Sequence, residues 1–215
     1  MAINKLQHTH AHKYACALKN CRVDYVEIEG SACASSLAGI VKAYKLIHSG
    51  EFKDVLIITD ERISKGVSDL FKQMKIDIKA GDGFSALHLV KSEPKDSFIK
   101  ITDPATAYHY HTNPWATTEE GYRKVIASED YEYIKPHGTG TDVNDDSEKY
   151  LCENKKVMLS PEGMRYKDKY GHMQGASGAT EICQMLEEHP NLPRTLCLAA
   201  GLGNFYAGLV IEKKS

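Results

Sequence analysis

Hydrophobic residues recur along the chain with two different periods, and each period predicts one kind of secondary structure. The clearest helical pattern places apolar side chains at the i, i+3, i+4 and i+7 positions of one face, at Leu37, Ile40, Val41 and Tyr44. Ser49-Gly50 ends this pattern, as glycine does at many helix C-termini. Similar patterns predict helices over residues 118–128, 146–153 and 176–188.

Short runs of β-forming residues separate these helical patterns. They predict strands over residues 23–28, 55–59, 86–90, 98–102, 131–135, 156–159, 195–199 and 208–212. The run 55–59 is almost continuously apolar, which is typical of a strand that is covered on both faces. Strands that alternate with helices predict an α/β fold with a covered sheet.

Composition and charge exclude several classes of protein. The chain has 215 residues, 42% of them hydrophobic, which fits one large domain or two small ones and is enough for a substantial core. Its 27 Lys and Arg nearly balance its 29 Asp and Glu, so the charge excess of a nucleic-acid binder or a binder of anionic membranes is missing. The sequence shows neither a membrane-spanning apolar run nor the apolar core of a signal peptide. Six cysteines without a Cys-x-x-Cys pair favour reduced thiols, and we expect a soluble, cytoplasmic protein.

One of these cysteines, Cys33, has surroundings that suit a nucleophile. It lies in the segment Gly-Ser-Ala-Cys-Ala-Ser-Ser at residues 30–36, between a predicted strand and the amphipathic helix. A thiol at a helix N-terminus lies near the positive end of the helix dipole, which lowers its pKa and favours the thiolate. The alternative is a Ser-rich helix cap that contains a buried cysteine.

Two histidines lie in glycine-rich loops that could also carry chemistry. His137 follows a predicted strand in Lys-Pro-His-Gly-Thr-Gly-Thr, where α/β proteins place functional groups, although a solvated turn would have the same composition. His172 precedes the run Gly-Ala-Ser-Gly at residues 175–178, which permits close backbone packing. That run lacks the Gly-Lys-Ser/Thr ending of a phosphate loop, which argues against a nucleotide site.

The remaining histidines do not predict a metal site. Residues 8–12 and 108–111 carry alternating histidines, which have neither the i, i+4 spacing of a shared helical face nor cysteine partners at zinc-like spacing. We therefore expect no bound metal ion.

Taken together and in order, the three segments resemble the β-ketoacyl-acyl-carrier-protein synthases, condensing enzymes of the thiolase superfamily. The resemblance runs from about residue 23 to residue 213. It rests on residues 31–36 around Cys33 and on His137-Gly-Thr-Gly-Thr with Asn144, Asp145 and Glu148. It rests further on Lys167, Gly171-His172, the run 175–178 and Glu181. Weaker similarities lie at residues 81–83, 107–109 and 201–203.

The resemblance implies a layered αβαβα fold with two covered mixed sheets, shortened in its N-terminal half. We expect one compact domain over residues 1–215, in which residues 1–95 form the nucleophile-bearing half and residues 96–215 carry both histidine motifs. Few residues precede Cys33, and the stretch from Cys33 to His137 is short for the family.

The resemblance also implies an activity and its residues. Cys33 would accept an acyl group from a thioester, and the backbone N–H groups of Cys33 and Leu202 would hold the oxyanion. His137 and His172 would bind the thioester carbonyl of a malonyl extender, so that decarboxylation yields the enolate that attacks the acyl-Cys. Lys167 and Glu181 would form a supporting charge pair, or simply a structural salt bridge. No metal or redox cofactor is required.

The implied partners are acyl carrier protein or CoA thioesters, with no nucleic acid and no membrane insertion. We expect a homodimer in which the strand at residues 23–28 pairs across a two-fold axis, or a heteromeric synthase partner. Two other functions stay open at this point. One is a synthase-like subunit, similar to a chain-length factor, that needs a partner chain. The other is a Cys-His thioester hydrolase.

Overall fold

The structure is a computed structural model that describes residues 31–73, 75, 77–91, 98–152, 156–157 and 166–214. The strands in these ranges are β1 (Asp54–Glu61), β2 (Gly83–Val90), β3 (Phe98–Tyr108), β4 (Tyr133–Lys135), β5 (Lys156–Val157), β6 (Thr195–Gly201) and β7 (Phe205–Lys214). The helices are α1 (Ser35–His48), α2 (Lys65–Gln73), α3 (Glu119–Arg123), α4 (Asp142–Cys152), α5 (Tyr166–Tyr170) and α6 (Ser177–Glu188). Short 3₁₀ turns, Ala32–Ala34 and Gln174–Ala176, precede α1 and α6.

The strands form one mixed sheet and one antiparallel sheet. The larger sheet has the order β3-β7-β6-β4-β5, in which β7 runs antiparallel to both of its neighbours and β4 runs parallel to β5 and β6. The smaller sheet pairs β1 with β2, from Asp54 opposite Val90 to Glu61 opposite Gly83. The covered mixed sheet expected from the sequence is therefore confirmed in the larger sheet, whereas the described part of the smaller one is antiparallel.

Strand β6 shows why the apolar runs are nearly continuous. Successive side chains of a strand point to opposite faces. Cys197 and Ala199 pack in the hydrophobic cluster that contains α1, whereas Leu196 and Leu198 pack in the cluster on the other face with Tyr122. Because both faces are buried, apolar residues follow one another along the strand instead of alternating with polar ones.

Helices α1 and α6 form a layer between the two sheets. Leu37 and Val41 of α1 share one hydrophobic cluster with Met185 of α6 and with the inner face of β7. Ile57 of β1 and Leu87 of β2 pack against the same cluster from the other side. The hydrophobic face of α1 thus anchors the turn that carries Cys33 in this cluster, which includes Ala34 of that turn.

The smaller sheet presents its other face to solvent, so the expectation that the strand over residues 55–59 is covered on both faces is wrong. Leu56, Phe84 and Val90 point away from α1 and α6, and they are 42%, 54% and 40% exposed. The alternation of buried and exposed residues along β2 follows from this one-sided packing.

Several elements differ from the expected bounds, and the structure gives a physical reason for two of these differences. The helix expected over residues 118–128 is shorter: α3 begins after Thr118, whose Oγ1 accepts the Gly121 N–H at 3.1 Å, and it ends at Arg123. The strand expected over 98–102 continues as β3 to Tyr108, through a bulge between Thr102 and Ala105. The bulge accommodates Pro104, which has no N–H to donate, and β3 is an edge strand that tolerates this loss.

Helices α2 and α5 were not expected from the hydrophobic pattern. The predicted strand at residues 156–159 is described only at residues 156–157, and the predicted strand at 23–28 lies outside the described residues.

Candidate active site

Cys33 lies in the 3₁₀ turn that leads directly into α1. Two hydrogen bonds shape this turn: the Ala34 N–H donates to the Ser31 carbonyl at 2.8 Å, and the Ser35 Oγ donates to the Ala32 carbonyl at 2.6 Å. The Cys33 side chain is partly exposed, and its Sγ donates to Oε1 of Gln174 at 3.3 Å. The residues on either side of Cys33 are small, and Cys33 keeps part of its surface exposed to solvent.

The surroundings of Cys33 favour the thiol over the thiolate. Burial raises the pKa of Cys33 to about 11, and this effect exceeds the opposing effects of the Lys167 ammonium and of the backbone N–H groups of Leu202 and Cys33. The lowered pKa expected for a thiol at a helix start is therefore wrong. The two N–H groups that the resemblance assigns to an oxyanion hole nevertheless lie beside the sulfur.

The end of β6 supports the turn that carries Cys33. A Cβ atom at Gly201 would lie 2.0 Å from the carbonyl oxygen of Ser31, so only glycine allows the two backbones to approach this closely. Leu202 follows directly, with its side chain 41% exposed.

We expect Gly201→Ala to lower the free energy of unfolding by about 1–3 kcal/mol, because the added methyl group overlaps a backbone atom that cannot move away freely. Gly66→Ala is the matched control, since its Cβ would meet only Ser64 Oγ, at 3.7 Å. Urea unfolding of the two variants and the wild type measures the difference. Equal stabilities for both variants would contradict the close approach of β6 to residue 31.

His137 and His172 meet although they come from distant parts of the chain. His137 follows β4, and His172 follows α5. The loop between α2 and β2 holds His172 in place: its N–H donates to the Lys79 carbonyl at 2.6 Å, and its carbonyl accepts the Gly81 N–H at 3.2 Å. The two rings are edge to face, with centroids 5.5 Å apart and planes at 82°.

Both imidazoles are neutral at neutral pH. The rings are buried, which lowers the pKa of His172 to about 3 and the pKa of His137 well below 6.5. The Lys167 ammonium, as the next cause, adds to the effect on both rings. Each ring therefore keeps one N–H donor and one acceptor nitrogen.

Ser177 contacts the inner nitrogen of His172. Its Oγ accepts the Met173 N–H at 3.0 Å and lies 3.0 Å from Nδ1 of His172. When the Ser177 hydroxyl donates its hydrogen bond to Nδ1, the neutral His172 ring carries its proton on Nε2. That arrangement leaves an N–H donor on the far side of the ring.

A buried cluster of two lysines and one glutamate lies behind the histidines. Nζ of Lys167 lies 2.8 Å from Oε1 of Glu181 and also donates to the His137 carbonyl, and Nζ of Lys135 donates to Oε2 of Glu181. All three side chains are at most 3% exposed. Burial alone raises the pKa of Glu181, but the two ammonium groups outweigh it and hold that pKa below its usual value.

The expected Lys167–Glu181 pair is therefore present, and Lys135 is a third member that sequence reasoning missed. It ends β4, two residues before His137. A lysine at a strand end gives no local signal that its ammonium group is buried.

Glu148 and Asn144 anchor the loop that carries His137. Glu148 accepts the Gly138 N–H, with its two oxygens at 3.2 and 3.1 Å, and the Tyr122 hydroxyl at 2.8 Å. Asn144 Oδ1 accepts the Thr139 hydroxyl at 2.6 Å. These bonds fix the backbone beside His137.

A metal site and a membrane-spanning helix are both absent from the part of the chain that the structure describes. There, His, Cys, Asp and Glu side chains form no group of three or more that could hold a metal ion. None of the helices in the same ranges is long and apolar enough to cross a membrane. The alternating histidines at residues 8–12 lie outside this part of the chain.

Comparison with known families accounts for this arrangement. Residues 29–105 match the family model of 3-oxoacyl-[acyl-carrier-protein] synthase III, and residues 115–196 match that of the C-terminal domain of β-ketoacyl synthase. The chain belongs to the β-ketoacyl synthase family. No curated protein matches it.

Solved structures with this fold include other members of the family. A β-ketoacyl synthase from Burkholderia phymatum is 16% identical with a TM-score of 0.69, over 86% of this chain and 60% of that one. The structure of the ketosynthase ApeO with its chain length factor ApeC, from Xenorhabdus doucetiae, is 14% identical with a TM-score of 0.66, over 97% of this chain and 72% of that one. A variant of OleA from Xanthomonas campestris is 15% identical with a TM-score of 0.63, over 94% of this chain and 69% of that one. The thiolase-like fold is thus confirmed, and this β-ketoacyl synthase chain spans 60–72% of these three structures.

Proposed function

We propose that this β-ketoacyl synthase chain is an acyltransferase that forms an acyl-Cys33 and condenses it with a malonyl thioester. The observation that carries the proposal is a neutral pair of buried histidines whose loop also reaches a partly exposed thiol. Gln174 contacts Cys33 and lies two residues after His172, which supports a site shared by the thiol and the imidazoles. Acyl carrier protein or CoA thioesters would supply both substrates, in fatty-acid or polyketide synthesis.

The first step transfers the acyl group to sulfur. The Cys33 thiolate attacks the thioester carbonyl, and the resulting oxyanion accepts hydrogen bonds from the N–H groups of Cys33 and Leu202. The carbon–sulfur bond to the donor then breaks, and the donor leaves as a thiol after it takes up the proton that Cys33 lost. The high pKa of Cys33 makes this step faster as the pH rises.

The second step uses the two imidazoles. His137 and His172 donate hydrogen bonds to the thioester carbonyl of the malonyl group, which stabilises the enolate that forms as carbon dioxide leaves. The enolate carbon then attacks the acyl-Cys33 carbonyl, and the bond to sulfur breaks to return the Cys33 thiolate. Neutral rings suit this role because each retains an N–H donor.

Lys167 would support this step through its contacts rather than by touching substrate. Its ammonium group donates to the His137 carbonyl and pairs with Glu181, so it fixes the backbone that carries the ring. A purely structural salt bridge stays the alternative.

We expect the wild type to gain the mass of one acyl group when it is incubated with acetyl-CoA or octanoyl-CoA, because Cys33 is the accessible nucleophile. Cys33→Ala should gain none, whereas Cys183→Ala, which removes another partly exposed thiol, should gain as much as the wild type. Intact-protein mass spectrometry measures the adduct. A folded wild type without acyl mass on Cys33 would contradict the proposal.

Addition of malonyl-CoA separates condensation from hydrolysis. A synthase releases carbon dioxide and a β-ketoacyl product, whereas a Cys-His thioester hydrolase releases only free acid. Acyl transfer without condensation by the purified chain would instead favour a subunit that needs a partner.

Two observations bear on the choice between these candidates. The shared fold with a ketosynthase and chain length factor complex supports the subunit that needs a partner, and the presence of Cys33 and both histidines supports the synthase. A homodimer, or a heteromeric partner, is part of the same proposal.

A further inference from the structure

Gln174 is held against Cys33 in an unusual backbone conformation. Its φ angle is +45°, in the left-handed region that residues other than glycine rarely adopt. It begins the 3₁₀ turn Gln174–Ala176, which packs against the turn that carries Cys33. Strained backbone of this kind often lies at functional sites, so the contacts of the Gln174 side chain bear on the chemistry of the thiol.

The two ends of the Gln174 amide have different surroundings. Oε1 accepts the Cys33 thiol at 3.3 Å, whereas Nε2 is buried and has no hydrogen-bond partner among the described residues. A half-turn about the Cγ–Cδ bond exchanges oxygen and nitrogen within nearly the same volume. The oxygen thus has the thiol as its partner and the nitrogen has none, so a half-turn that brings Nε2 to the sulfur breaks no hydrogen bond of the nitrogen.

We propose that Gln174 is a positioning residue for Cys33 that accepts a hydrogen bond from the thiol and, after this half-turn, donates one from Nε2 to the thiolate. The inference deepens the proposed function. It rests on that proposal in one respect, which is that Cys33 is the nucleophile. A hydrogen bond to an ionised acceptor is about twice as strong as one between neutral groups. The amide therefore stabilises the thiolate more than it stabilises the thiol, and it opposes the burial that disfavours ionisation of Cys33.

Alkylation by iodoacetamide tests this inference. The thiolate displaces iodide and forms a sulfur–carbon bond, its proton having passed to solvent, so the rate as a function of pH reports ionisation of Cys33. Mass analysis of the peptide that contains Cys33 follows this one cysteine among the six. Gln174→Met removes both the donor and the acceptor at similar length, and Gln174→Leu is a second apolar replacement.

We expect both apolar variants to react about tenfold more slowly at pH 8, with the midpoint of the rate profile shifted upward by about one pH unit. Gln174→Glu should react more slowly still, because its carboxylate cannot donate and its charge opposes the thiolate. Gln73→Met, which changes an exposed glutamine of α2, is the matched control and should react like the wild type. Circular dichroism and urea unfolding identify the variants that are folded.

Faster alkylation in the apolar variants would overturn the inference, because it would show that Gln174 acts only as an acceptor for the thiol. An unchanged profile would overturn it as well. The assay needs no acyl donor, so a failure of Cys33 to take up an acyl group and a failure of this inference are separate results.

Discussion

Replacing Glu181 by glutamine should lower the free energy of unfolding by about 3–5 kcal/mol, as expected when one partner is removed from a buried ion pair. The ammonium groups of Lys135 and Lys167 would remain, each only 3% exposed, without the carboxylate that both contact. Two uncompensated charges would then be buried beside the histidines. Urea unfolding at pH 7 measures the loss.

The control for this prediction is an exposed ion pair in the same protein. Glu188→Gln removes the partner of Lys169, whose side chain is 60% exposed, so water replaces the lost contact and the effect should be a small fraction of that for Glu181. Lys135→Met should be far milder than Glu181→Gln, because it leaves the Lys167–Glu181 pair intact. Similar losses for the Glu181 and Glu188 variants would show that the cluster is not stabilised in this way.

Acidification from pH 7 to pH 5 should destabilise the wild type by about 4 kcal/mol more than it destabilises the double variant His137→Gln/His172→Gln. The pKa values of both rings are lowered from 6.5 in the folded protein. Below pH 6.5 the unfolded chain takes up protons that the folded chain does not bind. The contribution of the two rings to the free energy of unfolding is therefore complete above pH 6.5, and it is lost as the pH falls from 6.5 towards their pKa in the folded protein. Each ring accounts for about 2 kcal/mol at pH 5.

Urea unfolding at several pH values checks this expectation. His88→Gln changes a histidine whose side chain is 59% exposed, and it is the control that should keep the pH dependence of the wild type. If the double variant loses as much stability in acid as the wild type does, the rings are not held neutral by the fold.

The parts of the fold that could be predicted are those with strong local patterns. The apolar face at Leu37, Ile40 and Val41 predicted α1, and it is buried as expected. The resemblance to the β-ketoacyl synthases also implied that the two histidines share a site and that Lys167 pairs with Glu181, and in the structure His137 contacts His172 and Lys167 pairs with Glu181. The division into halves near residue 95 stays a prediction.

The parts that could not be predicted depend on contacts through space. Lys135 and Gln174 have ordinary sequence surroundings, and only the fold brings them to Glu181 and Cys33. The predicted direction of the Cys33 pKa was wrong for the same reason: the helix start can be read from sequence, but the desolvation that outweighs it cannot. The extension of β3 past Pro104 likewise depends on its place at the sheet edge.

The position of β7 in the larger sheet determines when the site can form. β7 lies between β3 and β6, so the strands that precede it in the chain cannot assemble this sheet among themselves. The inner face of β7 also packs in the cluster that holds α1 and the turn before it. During synthesis, therefore, Cys33 leaves the ribosome long before β7 does, and the turn that carries it can pack against β7 only after that strand has been made.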